Sequence, residues 1–434
     1  MRPAIRLSHL TEPEVMFTFL HAADIHLDSP LKGLEVYPDA PLEQLRGAVR
    51  RAFDNLVELA LEERVAFVLL SGDLYDGDWK DYNTGLYLIN RLGRLREAGI
   101  PVFVVAGNHD AASQITRSLT LPDNCLLFSH KAPETYRLDD LGVAIHGQSF
   151  FSRTVDVDLT RAYPQGDSAL FNIGLLHTSL TGRPGHDVYA PCNLDGLRSR
   201  NYQYWALGHV HKRELLHRDP WILYPGNLQG RHIGETGAKG CALVTVDESR
   251  VTDVEFRDLD VLRWARCAVA VDGCDREESL LEAVHRDLEQ ERRKADGRPL
   301  ALRLVLQGTT ALHGRLHERA GHWQQEIRAL AAGLGDVWLE KVLFETRREG
   351  PAVEAFDDDS PFAALQELID SYPFPSSRLC DLVPAFEPLR SRLPAELISD
   401  GNPFQPDDEV LETLRREVRE MLSARLQKGG RNAH

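Results

Sequence analysis

Five short apolar runs in this chain of 434 residues each lead into a cluster of Asp, Asn or His, and that recurrence restricts the fold more than any other feature. Ala-Ala-Asp24-Ile-His26 follows Phe17–Ala22, and Ser71-Gly-Asp73-Leu-Tyr-Asp76 follows Val65–Ser71. Ala106-Gly-Asn108-His109-Asp110 follows Pro101–Ala106. Leu175-Leu-His177 closes Phe171–His177, and Leu207-Gly-His209-Val-His211 follows Tyr202–Gly208. Short apolar runs bounded by turn residues read as buried strands. Polar groups just beyond the carboxyl ends of such strands are where α/β proteins build ligand sites.

Between the first runs, Leu42–Glu63 carries Leu42, Leu45, Val49, Phe53, Leu56, Leu59 and Ala60 at helical spacing, and Leu86–Ala98 reads as a second helix ended by Gly99-Ile-Pro101. A β-α-β-α-β opening predicts α/β layers with strands buried on both faces. The later strands, Val143–Gly147, Trp221–Tyr224, Cys241–Asp247 and Val251–Phe256, come without long helices, which suits two packed sheets. Residues 16–260 are therefore read as one domain, and 1–15, polar and unpatterned, as a frayed extension or a start set too far upstream. Residues 261–347 read as a small α+β unit: strand Arg266–Val271, helix Glu277–Arg293, strand Leu300–Leu306, helix His317–Ala332 and strand Val337–Phe344. Residues 348–434 hold two apolar stripes, Phe362, Leu365, Ile369, Tyr372 and Leu411, Leu414, Val418, Met421, joined by a proline-rich connector.

Carboxylate, amide oxygen and imidazole without thiolate suit a hard or borderline divalent ion such as manganese, iron or zinc. Asp24, His26, Asp73, Asn108, His177, His209 and His211 are too many ligands for one ion but suit two that share a bridge, and Asp73 is the natural bridge. Two such ions can activate a hydroxide and clamp developing negative charge, which suits hydrolysis of a phosphate ester. Each cluster has a bland reading as well. Asp-x-His arises by chance, Gly-Asp and Gly-Asn favour turns, and a lone strand-end His is usually a core residue. Their joint occurrence in this order, each after its own strand, is what favours metal.

The net charge of −16 argues against a phosphate-binding surface unless metal ions or a partner supply part of the attraction. Half of that charge lies beyond residue 348. The six scattered cysteines form no C-x-x-C pair, so a zinc ribbon or disulfide framework is not expected, and a cytoplasmic setting is. No apolar run reaches the length of a membrane span. His21 and His146, inside or beside apolar strands, read as structural. His186, Tyr189, Arg231 and His232 are read as candidate substrate contacts, and Cys192 as a small buried residue.

The ordered set Asp-x-His, Gly-Asp-x-x-Asp, Gly-Asn-His-Asp, His and Gly-His-x-His resembles the calcineurin-like metallophosphoesterase superfamily. Phe19–Pro30, Tyr204–Lys212 and Tyr224-Pro-Gly-Asn-Leu-Gln-Gly-Arg-His232 narrow the likeness to the SbcD-type DNA repair exonucleases, with the YhaO-like branch most similar. The resemblance implies a four-layer α-β-β-α sandwich, a capping α+β domain and a helical C-terminal segment. It implies one ion on Asp24, His26, Asp73 and His211, and another on Asp73, Asn108, His177 and His209, both expected to be manganese. His109 would protonate the leaving oxygen or stabilise the transition-state phosphate, oriented by Asp76. The expected function is a DNA exonuclease working with an SMC-like coiled-coil ATPase, with a homodimer also admitted by the family. The alternatives are a phosphatase acting on a nucleotide or phosphoprotein, and a non-catalytic ATPase adaptor.

Overall fold

The computed structural model describes residues 16–29, 31, 47–75, 82–112, 120–180, 190–348 and 367–368. Phe17–Ala22 (β1), Phe67–Leu70 (β2), Val102–Val104 (β3) and Cys125–Leu127 (β4) run parallel, each beside the next. On its other edge β1 pairs antiparallel with Gly240–Asp247 (β11), and Arg250–Asp258 (β12) completes a six-stranded sheet. A second six-stranded sheet is built from Glu134–Leu138 (β5), Val143–Gly147 (β6), Phe171–His177 (β7), Tyr204–Gly208 (β8), Glu214–Arg218 (β9) and Trp221–Tyr224 (β10), in the order β5-β6-β7-β8-β10-β9. Its central strands β6, β7, β8 and β10 are parallel. In both sheets, parallel pairing carries the polar strand ends to one edge.

The sheets share one apolar core. Phe19, Phe67 and Phe103 of the first meet Ile145, Ile173, Leu175 and Tyr204 of the second, all buried. Phe19 stacks on Phe67 with centroids 4.9 Å apart, and Tyr204 meets it edge-on at 5.2 Å. Fully burying each such ring contributes roughly 1.5–3 kcal/mol over leaving it exposed. His21 bridges the sheets: its ring nitrogens lie 3.0 Å from the Tyr204 hydroxyl and 3.1 Å from the Leu207 carbonyl. Burial pushes its imidazole down to about 3, so it is a neutral core residue. His146 is likewise buried, between Thr135 and Asn172.

Helices Ala48–Glu62 (α1) and Tyr82–Glu97 (α2) cover the outer face of the first sheet. Val49, Ala52, Phe53, Leu56 and Ala60 form the stripe that meets Leu20, Val68 and Val102. Asp54 and Glu58 of α1 pair with Arg91 and Arg94 of α2. The outer face of the second sheet is covered more thinly. Trp205, Ile222 and Tyr224 are buried there by Val155, Leu159, Tyr163 and Leu197, which come from loops, a single 3-10 turn and the five-residue helix Leu194–Arg198. The fourth layer is mostly irregular chain.

The strands missed from sequence are Cys125–Leu127, Glu134–Leu138 and Glu214–Arg218. Two of these are polar edge strands of the second sheet, lacking the apolar signature of a core strand. After Arg263–Ala270 (β13) come Glu277–Lys294 (α3), Leu300–Thr310 (β14), the helices His313–Glu318 and Ala320–Gly333, and Val337–Arg348 (β15); the three strands form a sheet in the order β13-β14-β15. The single helix expected over His317–Ala332 is instead two. Arg319 leaves the helical region (φ −119°, ψ 36°), and the ladder resumes when Trp323 N donates to the Arg319 carbonyl at 3.1 Å.

The chain divides into two compact units. One comprises the described residues of 1–269, 283–305 and 324–343, and the other those of 270–282, 306–323 and 344–434. In the second, Thr309 N donates to Asp272, and the His313 and His317 rings lie 4.4 Å apart beside Thr346. The C-terminal stripes lie outside the described residues. Among these, no helix is long and apolar enough to cross a membrane.

Candidate metal centre

All seven proposed ligands belong to the first unit, and the structure brings them together at the shared strand-end edge. Asp24 and His26 follow β1, Asp73 follows β2, Asn108 follows β3, His177 ends β7, and His209 and His211 follow β8. The backbone is strained where it presents them. Asp24 (φ 51°), His26 (φ 48°), Asp73 (φ 52°) and His209 (φ 107°) all hold positive φ. Non-glycine residues avoid that region at a cost of roughly 1–3 kcal/mol each, and such strain concentrates at functional sites.

Main-chain bonds lock the strand ends to one another. Asp24 N donates to the Gly72 carbonyl, and His26 N to that of Asp73. His209 N donates to both Asp24 carboxylate oxygens, at 3.1 and 3.0 Å. His109 N donates to Asp73 Oδ1 at 3.0 Å. Two motif glycines are required by contact. A Cβ on Gly107 would sit 2.3 Å from Asp73 Oδ1, and one on Gly208 would sit 1.9 Å from the Ser71 carbonyl oxygen.

The imidazoles face the carboxylates. His177 Nδ1–H donates to the Ser71 carbonyl at 2.9 Å, which leaves Nε2 as a lone pair. That lone pair is 2.9 Å from Asn108 Oδ1 and 3.5 Å from Asp73 Oδ2. Burial pushes the His177 imidazole down to about 3, so the ring is neutral. His26 Nε2 lies 3.8 Å from Asp73 Oδ2 and 3.2 Å from His211 Nε2, and His211 Nε2 is 3.9 Å from Asp24 Oδ1. Burial, and then the Asp73 carboxylate, push Asp24 well above the usual carboxylate range. Two buried carboxylates among neutral imidazoles form a donor set that a cation satisfies. Three groups have ligand atoms mutually within 4.8 Å: Asp24, His26 and His211; His26, Asp73 and His109; Asp24, Asp73 and His177. The residues fit two divalent ions sharing Asp73.

The surrounding residues were less foreseeable. The His109 ring stands edge-on to His26 at 4.9 Å, with its nitrogen close to His26 and Asp73. Asp76, His186 and Tyr189 lie outside the described residues. Asp110, which closes the Gly-Asn-His-Asp motif, is a buried clamp: its carboxylate accepts from the backbone N–H of Gly107, Leu74 and Tyr75. It thereby joins the loops carrying Asp73 and Asn108. Burial and then Asp73 raise its pKa to about 7. Arg231 is nearly buried and bonds Glu235, Ser29 and His211, while His232 reaches Glu235 at 3.4 Å from a more exposed position. A lone Glu in a Gly-rich loop carries no local signal, so no sequence motif marks Glu235. Its Oε1 is 2.7 Å from His211 Nδ1. Burial alone would raise its pKa, but the His211 bond and then the Arg231 charge take it well below the carboxylate range. Cys192 is buried, its thiol pushed up to about 12 by burial, which suits packing and not nucleophilic attack.

A strained cluster of buried carboxylates and imidazoles at the strand-end edge of a double-sheet sandwich is the kind of donor set a metal-dependent phosphoester hydrolase uses. Residues 17–213 match the model of the calcineurin-like phosphoesterases, and residues 264–347 that of the middle domain of metallophosphoesterase YhaO. The chain is 38% identical over 361 residues to "Uncharacterized metallophosphoesterase YhaO" of Bacillus subtilis, covering 81% of this chain and 87% of that protein. It belongs to the calcineurin-like metallophosphoesterases, among members of the YhaO type. More distant relatives are proteins named DNA double-strand break repair protein Mre11. That of Methanopyrus kandleri is 27% identical over 61% of this chain and 62% of its own length; that of Sulfurisphaera tokodaii is 26% identical over 52% and 58%.

Proposed function

We propose that this chain is a two-metal phosphodiesterase acting on DNA, an exonuclease of the DNA-repair type. The observation that carries the reading is the convergence of Asp24, His26, Asp73, His177 and His211 ligand atoms within reach of single ions, with the His109 ring beside His26 and Asp73. Bound divalent ions, manganese in this proposal, supply an activated water and neutralise charge on the phosphate oxygens. The chain's own residues do the rest. Asp73 is shared between the ion positions, Asn108 and His177 form one flank, and Asp24, His26 and His211 form the other. The His109 imidazole holds a proton for the departing sugar oxygen, a contribution of about 10²–10⁴-fold.

DNA as substrate is supported by the likeness to the Mre11 proteins. With a net charge of −16, attraction for phosphate has to come from the ions more than from the protein surface. The coiled-coil ATPase partner and the homodimer belong to the same proposal and rest on the sequence resemblance alone. The test is a manganese-dependent assay on end-labelled linear and hairpin DNA, comparing the wild type with His109→Ala and Asp73→Ala. Cleavage by the wild type and its loss in both variants supports the reading. Turnover of mononucleotides or phosphopeptides with indifference to DNA would overturn it in favour of a phosphatase.

A further inference from the structure

Glu235 stands outside every recognised cluster, yet its carboxylate lies 2.7 Å from a ligand imidazole of the centre. Its carboxylate is buried and fully used: Oε1 faces His211 Nδ1 at 2.7 Å and Arg231 Nη2 at 3.0 Å, and Oε2 accepts from Asn227 Nδ2 at 2.9 Å and Arg231 N at 2.7 Å. The loop after β10 is shaped to deliver it. Glu235 N donates to the His232 carbonyl at 2.9 Å, and Lys239 Nζ donates to the His211 carbonyl at 2.7 Å, which ties the loop to the Gly-His-x-His segment.

Two groups compete for His211 Nδ1. Arg231 Nη2, 3.2 Å away, could donate to a bare Nδ1, whereas Glu235 requires Nδ1 to carry the proton. The carboxylate is 0.5 Å closer by these two distances and can only accept, so it decides the tautomer. Nδ1–H then points at Glu235, and the Nε2 lone pair points at Asp24 and His26. We propose that Glu235 is the positioning residue that fixes this tautomer and ring orientation of His211, and so sets the affinity of the ion position formed by Asp24, His26, Asp73 and His211. The proposal rests on the two-metal reading but not on DNA as substrate.

A carboxylate behind a ligand imidazole typically changes metal affinity by about 10–100-fold when removed. In Glu235→Gln the amide NH₂ can donate to Nδ1, moving the proton to Nε2, where it blocks the ion. Metal-stripped full-length wild type, Glu235→Gln, Glu235→Asp and Asn108→Ala are titrated with Mn²⁺ by calorimetry, and each metal-free melting temperature is recorded. The wild type should bind two ions. Glu235→Gln should weaken one binding event about 10–100-fold and leave the other, and Glu235→Asp should recover part of the loss. Asn108→Ala should weaken the opposite event. Wild-type affinity for both ions in Glu235→Gln overturns the proposal. So does loss of both events together with a lowered metal-free melting temperature, since that marks a structural role. A wild type that binds two ions but leaves DNA intact would sink the substrate reading and not this one.

Discussion

His177 and His211 both turn Nε2 toward the carboxylates, but what fixes the other nitrogen differs. For His177 it is the Ser71 carbonyl, part of the backbone at the end of β2, and the ring is fully buried. For His211 it is the Glu235 side chain, delivered by a loop, and the ring is about a quarter exposed. The His177 ring is therefore fixed by the sheets themselves, and no substitution at Ser71 removes its backbone acceptor. The His211 ring depends on a single carboxylate and can be loosened separately. In a two-ion centre such a difference makes the ion positions unequal in affinity.

The sharpest way to break this picture is Asp73→Ala. If Asp73 is shared, metal content falls at both positions and phosphodiester hydrolysis falls below detection; elemental analysis finding one ion still tightly held would separate the flanks and remove Asp73 as the bridge. Next in size is His109→Ala, expected to keep both ions while cleavage drops about 10²–10⁴-fold. Loss of metal in that variant would make His109 a ligand.

Gly208→Ala tests the backbone-wired flank. The added Cβ would lie 1.9 Å from the Ser71 oxygen that fixes His177. A destabilisation of about 1–3 kcal/mol is expected, read as a lowered urea midpoint. An unchanged midpoint would mean that the contact relaxes freely.

The smallest effect is on pH dependence. His21 has its folded-state pKa lowered to about 3 by burial, below the unfolded value of 6.5. Its contribution is complete above pH 6.5 and is lost as pH falls from there toward 3, because the unfolded chain takes up the proton first. Metal-stripped protein should lose about 1 kcal/mol from His21 between pH 7 and pH 5.5, with His177 adding a similar amount. A bound ion also keeps His177 unprotonated in the folded state, so metal should leave its share of the slope in place, whereas His21→Gln should remove the His21 share. Denaturant melts at the two pH values, with and without Mn²⁺, check both.

Much of the centre could be read before any fold was known. Asp24, His26, Asp73, Asn108, His177, His209 and His211 sit in motifs whose glycines and apolar strands are contiguous with them, so local chemistry carried the signal. Glu235 and Asp110 could not be read in this way. What makes each of them functional is a bond to residues distant in the chain: His211 is 24 positions before Glu235, and Leu74 is 36 before Asp110. Apolar periodicity likewise marked α1, β2 and β3, while the exposed edge strand Glu134–Leu138 and the break at Arg319 depend on neighbours that periodicity does not encode.

Sequence by itself determined which side chains are present to bind metal and that each follows a buried strand, because alternation, apolar runs and turn residues act over a few positions. Only the tertiary structure decided which strands lie side by side, which imidazole nitrogen carries the proton, and which carboxylate stands behind which ring. Those are properties of long-range pairing, where a shift of one residue in register would point every ligand to the opposite face of its sheet.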